Sequence, residues 1–362
     1  MWEVLEMGDV AADLSSVCFE SGLNDEEKNL LYLRARSAGL TFCGCAHAAF
    51  MYEATPGRVY DSTEDRDLCV GILGLGHLGK QLLLFLLEKT SIKPSHVKIS
   101  TRRPEAAGTH KCKTRGVECF FDNRRLAAWA DVLLLCCLPS HLPKVCADLH
   151  SRLSKHCLVY TFSSAVPATR LSVLLGHDYI LKPQYEFLTC DAADLWLSCT
   201  QLTTAFTDPL LIEASCPLTM KGGISLGLSW VCAVLYSLLN TCTSASLSSS
   251  EALSLINNMF KEKWENTVQF NAQSFISSSY AASLPSDKPF PWISLTDVQT
   301  KETPLLRFLS SSKSVLQCIS AAYKSQLETP AELHRNTPIS IPYITVIPVL
   351  YFFNTFYVHL YI

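Results

Sequence analysis

The sequence predicts an α/β protein in which an N-terminal extension precedes a doubly wound parallel sheet, and an all-helical C-terminal domain follows the sheet. Three observations predict this order. Short apolar runs alternate with helical stretches from Leu68 onward, which is typical of β-α-β units. A glycine-rich turn directly follows the first apolar run. After about Gly222 the strand pattern stops and long helical patterns replace it.

Length and composition narrow the class of protein. The 362 residues are enough for two domains and a further short segment. The 48% hydrophobic and 17% charged residues exclude a largely disordered chain, which needs low hydrophobicity and high net charge. A formal net charge of −3 lacks the basic excess of nucleic-acid-binding proteins. We therefore expect a folded protein with no nucleic-acid partner.

The sixteen cysteines are scattered along the chain, and several lie inside apolar runs, as Cys157 and Cys232 do. A buried thiol in such a run behaves as a small hydrophobic residue. The N-terminus carries Glu3, Glu6 and Asp9 in place of the basic and apolar regions of a secretory signal. The sequence therefore predicts a cytoplasmic protein with free thiols.

The chain divides into four expected segments. They are a partly helical extension, a sheet domain, a helical domain and an apolar tail, at residues 1–66, 67–222, 223–335 and 336–362. A helix in the extension is expected to begin at Asn24, which acidic residues of a first helical turn follow, and to end at Gly39. The acidic stretch Asp61–Asp67 marks the boundary before the sheet domain.

The strands and later helices follow from the apolar pattern. Six apolar runs are the expected strands: Leu68–Leu73, Val97–Thr101, Val117–Phe121, Asp131–Pro139, Cys157–Phe162 and Tyr179–Lys182. Helices are expected at Leu226–Asn240, Glu251–Phe275 and Leu305–Leu327, with a loop at Leu284–Thr303. The first of these helices is apolar nearly all round, so it must be buried in a core or at a subunit interface.

The tail from Ile339 to Ile362 contains no Asp, Glu, Lys or Arg. A stretch of about twenty apolar residues is long enough to span a bilayer. Pro342 and Pro348, together with the β-branched and aromatic composition, favour a packed or exposed segment instead. Membrane association of the tail stays open as the less favoured interpretation.

A G-x-G-x-x-G turn lies between the first apolar run and an apolar helix. Gly74 suits the tight turn, Gly76 lets the backbone approach a pyrophosphate, and Gly79 permits close packing of helix and strand. The phosphates of a dinucleotide are expected at the N-terminus of the helix, where free N–H groups and the helix dipole favour anions. The expected binding turn is completed by Leu75, His77 and Leu78. The alternative is a glycine turn that binds no ligand.

The end of the second expected strand indicates the cofactor. NAD-binding domains carry an acidic residue there for the ribose 2′-hydroxyl. This strand ends instead in Arg102 and Arg103, preceded by Ser100 and Thr101. Two guanidinium groups favour a 2′-phosphate through charge-assisted hydrogen bonds, and either hydroxyl adds a donor. The sequence therefore predicts NADP, and a pair of solvated loop arginines is the alternative.

The pattern from Val70 to Tyr185 resembles the pyrroline-5-carboxylate reductase family. The shared features are the glycine turn, a strand that leads to Asn123, and an apolar strand that ends at Pro139. The resemblance implies a Rossmann-type sheet followed by a helical domain that forms an intertwined homodimer. It also implies that Asn123 lies beside the cofactor ribose. The resemblance further implies that one turn lies under the adenosine and the nicotinamide-side phosphates of the cofactor. This turn consists of Cys136, Cys137, Leu138 and Pro139.

The chain departs from that family on the substrate side. Ser163–Val166 replaces A-A-G-V, and Leu181–Tyr185 replaces a stretch like M-P-N-T-P. Lys288–Asp297 stands where the family has a serine- and glycine-rich loop that binds the substrate carboxylate. Ser294 and Thr296 are the candidate catalytic residues, because they carry hydroxyls near the position of that missing loop.

The expected function is that of an NADP(H)-dependent oxidoreductase acting on a small molecule. The reacting group is a C=N or C=O bond in the oxidised form of the substrate and a CH–NH or CH–OH group in the reduced form. The alternative is a catalytically inactive NADP-binding scaffold or redox sensor, because the family's substrate loop is missing while the glycine turn is intact. No metal is expected. The one candidate group, Cys43, Cys45 and His47, lacks the fourth ligand of a structural zinc site.

Overall fold

The computed structural model describes residues 24–54, 68–104, 116–188, 193–197, 205–260 and 269–328. The expected boundary at Asp61–Asp67 and the apolar tail from Ile339 lie outside these residues, and the division into four segments stays a prediction. Within the described ranges, no helix combines the length and the apolarity that crossing a bilayer requires.

A six-stranded parallel sheet forms the centre of the described structure, with the strand order β3-β2-β1-β4-β5-β6. The strands are β1 Val70–Leu73, β2 Val97–Ser100, β3 Glu118–Phe120, β4 Val132–Leu135, β5 Leu158–Thr161 and β6 Ile180–Leu181. Each lies inside the run predicted for it, and the order is that of a Rossmann-type sheet, so the predicted fold class is confirmed. β1, β4 and β5 are buried along their whole length, which explains their continuously apolar sequences.

Helices cover both faces of this sheet. They are α1 Asp25–Ala54, α2 His77–Lys89, α3 Asn123–Trp129, α4 Leu142–Leu149 and α5 Ala168–Leu175. α1 and α2 pack on one face, in the same core cluster as Ile72 and Leu134. α3, α4 and α5 pack on the other, in the same cluster as Leu133 and Val159. Alternating residues of one strand therefore contribute to two separate cores.

The first helix is longer than predicted. The sequence predicted its end at Gly39, a residue type that often ends helices, but α1 continues to Ala54. Gly39 is instead a point of close packing, because a Cβ there would lie 2.7 Å from Ile224 Cδ1 and from a carbon of the Trp196 ring. From Phe42 to residue 53 the helix is buried. Tertiary packing thus determines the length of α1.

A two-stranded antiparallel ribbon joins β7 (Tyr185–Phe187) to β8 (Ile224–Leu226). Between these strands lie α6 (Ala193–Leu197) and α7 (Pro209–Ser215). β8 corrects the prediction that strands stop at about residue 222. β8 has only three residues, and an apolar helix follows it. So short an apolar run cannot be distinguished by its pattern from the start of that helix.

The central helix of the C-terminal part is α8, Leu228–Ser244, which begins two residues later than predicted because Leu226 belongs to β8 and Gly227 is the N-cap residue. Every residue from Trp230 to Asn240 is buried within a single chain. The core of one chain therefore accounts for the apolar character of this helix, and the homodimer stays a prediction.

Two of the predicted C-terminal helices are interrupted. The remaining helices are α9 Ser249–Phe260, α10 Ala272–Phe275, α11 Ser278–Ser283, α12 Leu295–Val298, α13 Pro304–Ser311 and α14 Lys313–Glu328. The single helix predicted over Glu251–Phe275 is wrong at its C-terminal end, where Asn271 caps a separate short helix. The helix predicted over Leu305–Leu327 breaks at Ser312, the last of three serines, whose hydroxyls compete for backbone hydrogen bonds. α12 lies within the predicted loop.

Candidate functional site

The glycine turn lies at the edge of the sheet formed by the carboxyl ends of its parallel strands. It follows β1, which pairs with β2 on one side and with β4 on the other, and the strand order reverses between β1 and β4. In doubly wound sheets, ligands bind in the crevice at this point. The topology therefore places the expected binding turn where a dinucleotide site is expected.

Each of the three glycines of the turn meets a different constraint. Gly74 has a φ of +100°, and a Cβ there would lie 3.1 Å from the carbonyl oxygen of Cys136. A Cβ on Gly79 would overlap the carbonyl oxygen of Gly74. At Gly76 a Cβ would meet no heavy atom within 4 Å, so the backbone there faces open space. Two glycines are thus required by the fold, whereas the packing of the described residues does not require the third.

The N-terminus of α2 faces the same space. Gly76 is its N-cap residue, and no side chain caps the helix. The carbonyl of Gly76 accepts from the N–H of Lys80 at 3.0 Å, whereas the N–H groups of the first helical turn have no partner within the helix. Leu75 and Leu78 pack against the core, and His77 is exposed with its ring 2.9 Å from the Gln81 amide. The free N–H groups and the helix dipole suit an anion.

The arginine pair lies beside this turn. The N–H of Gly74 donates to the carbonyl of Ser100 at 2.9 Å, and the N–H of Thr101 donates to that of Phe120 at 2.9 Å. The first bond holds the end of β2 against the glycine turn, and the second holds it against β3. Arg102 and Arg103 follow directly and are exposed, and the ion pairs between described residues do not include them.

Asn123 is held from two sides. It opens α3, which Asp122 caps. Its Oδ1 accepts from Ser100 Oγ at 2.8 Å, and its Nδ2 donates to Asp148 Oδ2 at 3.0 Å. The side chain is therefore fixed between β2 and α4 at the carboxyl edge of the sheet.

The turn after β4 closes this edge. The N–H of Cys136 donates to the carbonyl of Leu73 at 2.9 Å, which ties the turn to the end of β1. Burial raises the pKa of the Cys136 and Cys137 thiols, so both stay protonated and pack as small hydrophobic groups. Leu138 is 65% exposed, and Pro139 is exposed beside it. The turn presents an apolar surface next to the glycines.

The two candidate catalytic hydroxyls are not brought to this edge. Ser294 caps α12, with its Oγ accepting from the N–H of Asp297 at 3.2 Å. Thr296 is buried and donates to the carbonyl of Asp178 at 3.2 Å. Asp178 precedes β6, so Thr296 lies at the amino edge of the sheet, opposite the glycine turn. Both hydroxyls have structural partners.

Sequence reasoning missed two polar residues that do lie at the carboxyl edge, Ser163 after β5 and Lys182 after β6. Both are buried, with 8% of each residue exposed. The available signal was that each belongs to a stretch in which this chain departs from the reductase family.

Behind this edge, His47 has a structural role. Its Nε2 donates to the carbonyl of Ser215 at 2.7 Å, and its Nδ1 then accepts from the Tyr185 hydroxyl at 3.0 Å. Burial lowers the pKa of His47 to about 4, so the ring is neutral. Cys43 and Cys45 are buried on the same helix, and the described residues contain no group of three potential metal ligands.

The chain is similar to several known proteins. A family model described as NADP oxidoreductase coenzyme F420-dependent matches residues 69–163. The mouse protein NADP-dependent oxidoreductase domain-containing protein 1 is 40% identical over 337 residues, which are 86% of this chain and 91% of the mouse protein. Pyrroline-5-carboxylate reductase of Escherichia coli (strain K12) is 27% identical over 110 residues, 30% of this chain and 40% of the enzyme. A solved structure of the same enzyme from Coxiella burnetii is 14% identical, with a TM-score of 0.29, and covers 72% of this chain and 97% of its own.

Proposed function

Because the chain belongs to the family of NADP-dependent oxidoreductase domain-containing protein 1, we propose that it binds NADP(H) and transfers a hydride to or from a C=N or C=O bond of a small molecule. The open space at Gly76, faced by the free N–H groups of α2, is the observation that supports this best. It lies where the strand order reverses, the place at which doubly wound sheets bind dinucleotides. The residues present fit the cofactor.

Each part of the carboxyl edge has a role in this proposal. The N–H groups at the start of α2 bind the pyrophosphate, and Gly76 lets the backbone approach it. Arg102 and Arg103 bind the 2′-phosphate through charge-assisted hydrogen bonds. Asn123, fixed by its two hydrogen bonds, contacts the ribose, as the resemblance to the reductases implies. The apolar turn at Leu138 excludes water from the cofactor.

The cofactor, when bound, supplies the hydride at its nicotinamide ring. The chain's own contribution is to hold the reacting groups together and to keep the site dry. The half of the sheet formed by β4, β5 and β6 is the half that binds the second mononucleotide in this fold. The substrate is therefore expected above the carboxyl ends of these three strands.

The second candidate function is an inactive NADP-binding scaffold or redox sensor. It is favoured by the position of Ser294 and Thr296, whose hydroxyls have structural partners away from the glycine turn. Turnover separates the two functions. An oxidoreductase consumes NADPH with at least one member of a panel of imines and carbonyl compounds, measured by the loss of nicotinamide absorbance, and a scaffold consumes none.

We also infer a cytoplasmic location and a homodimer. The homodimer is supported by the family resemblance alone, since α8 is already buried within one chain. Light scattering of the purified protein tests it directly.

The choice of NADP over NAD is tested by replacing both arginines. Arg102→Ala together with Arg103→Ala is expected to weaken NADPH binding by about a hundredfold, since hydrogen bonds to charged groups contribute about 1.5–3 kcal/mol. Binding of NADH, which has no 2′-phosphate, is expected to stay unchanged. Calorimetric titration of both nucleotides measures the two effects.

Arg170→Ala is the matched control, because Arg170 is an exposed arginine on α5. It is expected to leave both affinities unchanged. Equal losses of NADPH and NADH in the double variant would show that the arginines do not select the 2′-phosphate. If the unsubstituted protein binds neither nucleotide, the proposed function is wrong.

A further inference from the structure

Lys182 is a buried positive charge at the same edge of the sheet as the glycine turn. It directly follows β6, and 8% of the residue is exposed. Its Nζ donates to the backbone carbonyl of Ser164 at 3.0 Å. An ammonium group has three N–H donors, so this one acceptor leaves two donors without a partner among the described residues.

Among the described residues, no carboxylate balances this charge, because none of their ion pairs includes Lys182. Burial lowers the pKa of Lys182. Lys89, which is also buried, differs because the adjacent Glu88 acts to raise its pKa. A buried charge without a partner is costly, so the unpaired ammonium of Lys182 points to an anion supplied from outside the chain.

The backbone around Lys182 is fixed. Gln299, which directly follows α12, accepts from the N–H of Lys182 at 2.9 Å and donates to the carbonyl of Ile180 at 2.7 Å. The side-chain amide of Gln299 therefore holds the end of β6 in place. Such support is typical of a group that must be kept in one position.

Ser163 supplies a second donor at the neighbouring strand end. It follows β5, which pairs with β6, and its residue is 8% exposed. Its Oγ is buried and has no hydrogen-bonding partner in the part of the chain that the structure describes. A buried hydroxyl is normally satisfied, so this one also indicates a missing partner.

We propose that Lys182 and Ser163 bind a carboxylate group of the small-molecule substrate. The inference rests on the proposed function, because it places the substrate above the carboxyl ends of β5 and β6. Two free N–H donors and one O–H donor match the two oxygens and the single charge of a carboxylate. Neither residue belongs to the cofactor turn.

The test uses the full chain and acetate as the probe. Thermal unfolding is followed in increasing sodium acetate and, separately, in sodium chloride and sodium phosphate at equal ionic strength. A ligand that binds only the folded state stabilises it by RT ln(1 + L/Kd), where L is the free ligand concentration, so the rise of the midpoint with concentration yields a Kd. Acetate is expected to raise the midpoint above that in chloride.

Three variants locate the effect. Lys182→Met is expected to fold, because it replaces an unpaired buried charge with an apolar side chain of similar length, and to raise the Kd for acetate by at least about tenfold. Ser163→Ala is expected to raise that Kd by about threefold. Lys144→Met, at an exposed lysine of α4, is the control and is expected to behave as the unsubstituted protein.

The outcomes separate this inference from the proposed function. The inference is overturned if acetate does not raise the midpoint, or raises it equally in the unsubstituted protein and in Lys182→Met. It is also overturned if the rise in phosphate depends on Lys182 more than the rise in acetate does. Calorimetry with NADPH is expected to give the same affinity in Lys182→Met. A matching loss of NADPH affinity would assign the charge to the cofactor and overturn the inference. Lys182-dependent acetate binding without any NADPH binding supports the anion site while the proposed function fails.

Discussion

Gly79→Ala is expected to destabilise the protein by about 3 kcal/mol or more, at the upper end of the cost of overpacking. The added Cβ overlaps the carbonyl oxygen of Gly74. That carbonyl cannot move freely, because the N–H of Gly74 is bonded to Ser100 and its φ of +100° is already a glycine conformation. A fall in the midpoint of thermal unfolding by roughly 6 °C or more is expected. Nucleotide binding is lost with the turn.

Gly76→Ala is the matched variant, and it is expected to weaken NADPH binding while leaving stability nearly unchanged. Its Cβ enters open space, and its φ of −75° suits alanine, so stability changes by about 1 kcal/mol at most, the cost of alanine at an N-cap. The affinity for NADPH is expected to fall by about a hundredfold, since the methyl group occupies the position of a phosphate and each tenfold loss corresponds to about 1.4 kcal/mol.

Thermal unfolding and calorimetry on the two variants give a clear result. A cofactor site is supported if Gly79→Ala loses stability, and if Gly76→Ala keeps its stability but loses NADPH binding. Unchanged NADPH binding in Gly76→Ala would mean that the open space does not hold the phosphates. Full stability of Gly79→Ala would show that the turn is looser than its geometry indicates.

The sheet was predictable because its signals are local. β1, β4 and β5 are continuous apolar runs, which burial on both faces imposes, and all six strands fall inside their predicted ranges. The glycine turn is equally local, since the overlap that makes Gly79 necessary involves the carbonyl of Gly74, only five residues earlier. The order of the strands then follows from the fold class that these signals indicate.

The long-range features were not predictable in the same way. Gly39 has the residue type of a helix end, and only its contact with Ile224 and Trp196 shows that it serves packing. β8 is short and gains its strand character from pairing with β7. Neither fact is present in the neighbouring sequence, because both depend on residues far away in the chain.

The residues of the candidate site also fall into two groups, those that form sequence motifs and those that do not. The turn at Gly74–Gly79 and the arginines after β2 were found because they form motifs. Lys182 and Ser163 belong to no motif. They were identified because their buried donors lack hydrogen-bonding partners among the described residues, which only the folded structure shows. Thr296 illustrates the reverse case, because its position relative to the family loop suggested catalysis, whereas its hydroxyl bonds to Asp178 at the opposite edge.

Glu53→Gln is expected to stabilise the protein by up to about 3 kcal/mol at pH 8, because a pKa shift of one unit corresponds to about 1.4 kcal/mol. Burial raises the pKa of Glu53 from 4.5 to about 7, against the smaller opposing effect of hydrogen bonds from the N–H and Oγ of Ser91. Between pH 4.5 and 7 the folded state holds the proton more tightly than the unfolded state. Stability therefore falls as pH rises through this window, and the loss is complete above pH 7.

His47 acts in the opposite direction, so the effect of Glu53 is masked in the unsubstituted protein. Burial lowers the pKa of His47 from 6.5 to about 4, which means that the unfolded state binds more protons between these values. Stability contributed by the neutral ring falls as pH decreases through 6.5 towards 4. Between pH 4.5 and 6.5 the two slopes are of similar size, about 1.4 kcal/mol per unit each, and opposite sign.

Removing one group is therefore expected to expose the other. In Glu53→Gln, the free energy of unfolding should rise with pH from 4 to 6.5 and then stay level, whereas the unsubstituted protein should be nearly flat from 4.5 to 6.5 and decline slightly towards 7. Urea unfolding at pH 5, 6.5 and 8 measures this, with Glu328→Gln, at an exposed glutamate, as the control. Identical pH profiles for Glu53→Gln and Glu328→Gln would mean that Glu53 stays ionised in the folded protein, and that the contact between α1 and Ser91 is an ordinary charged one.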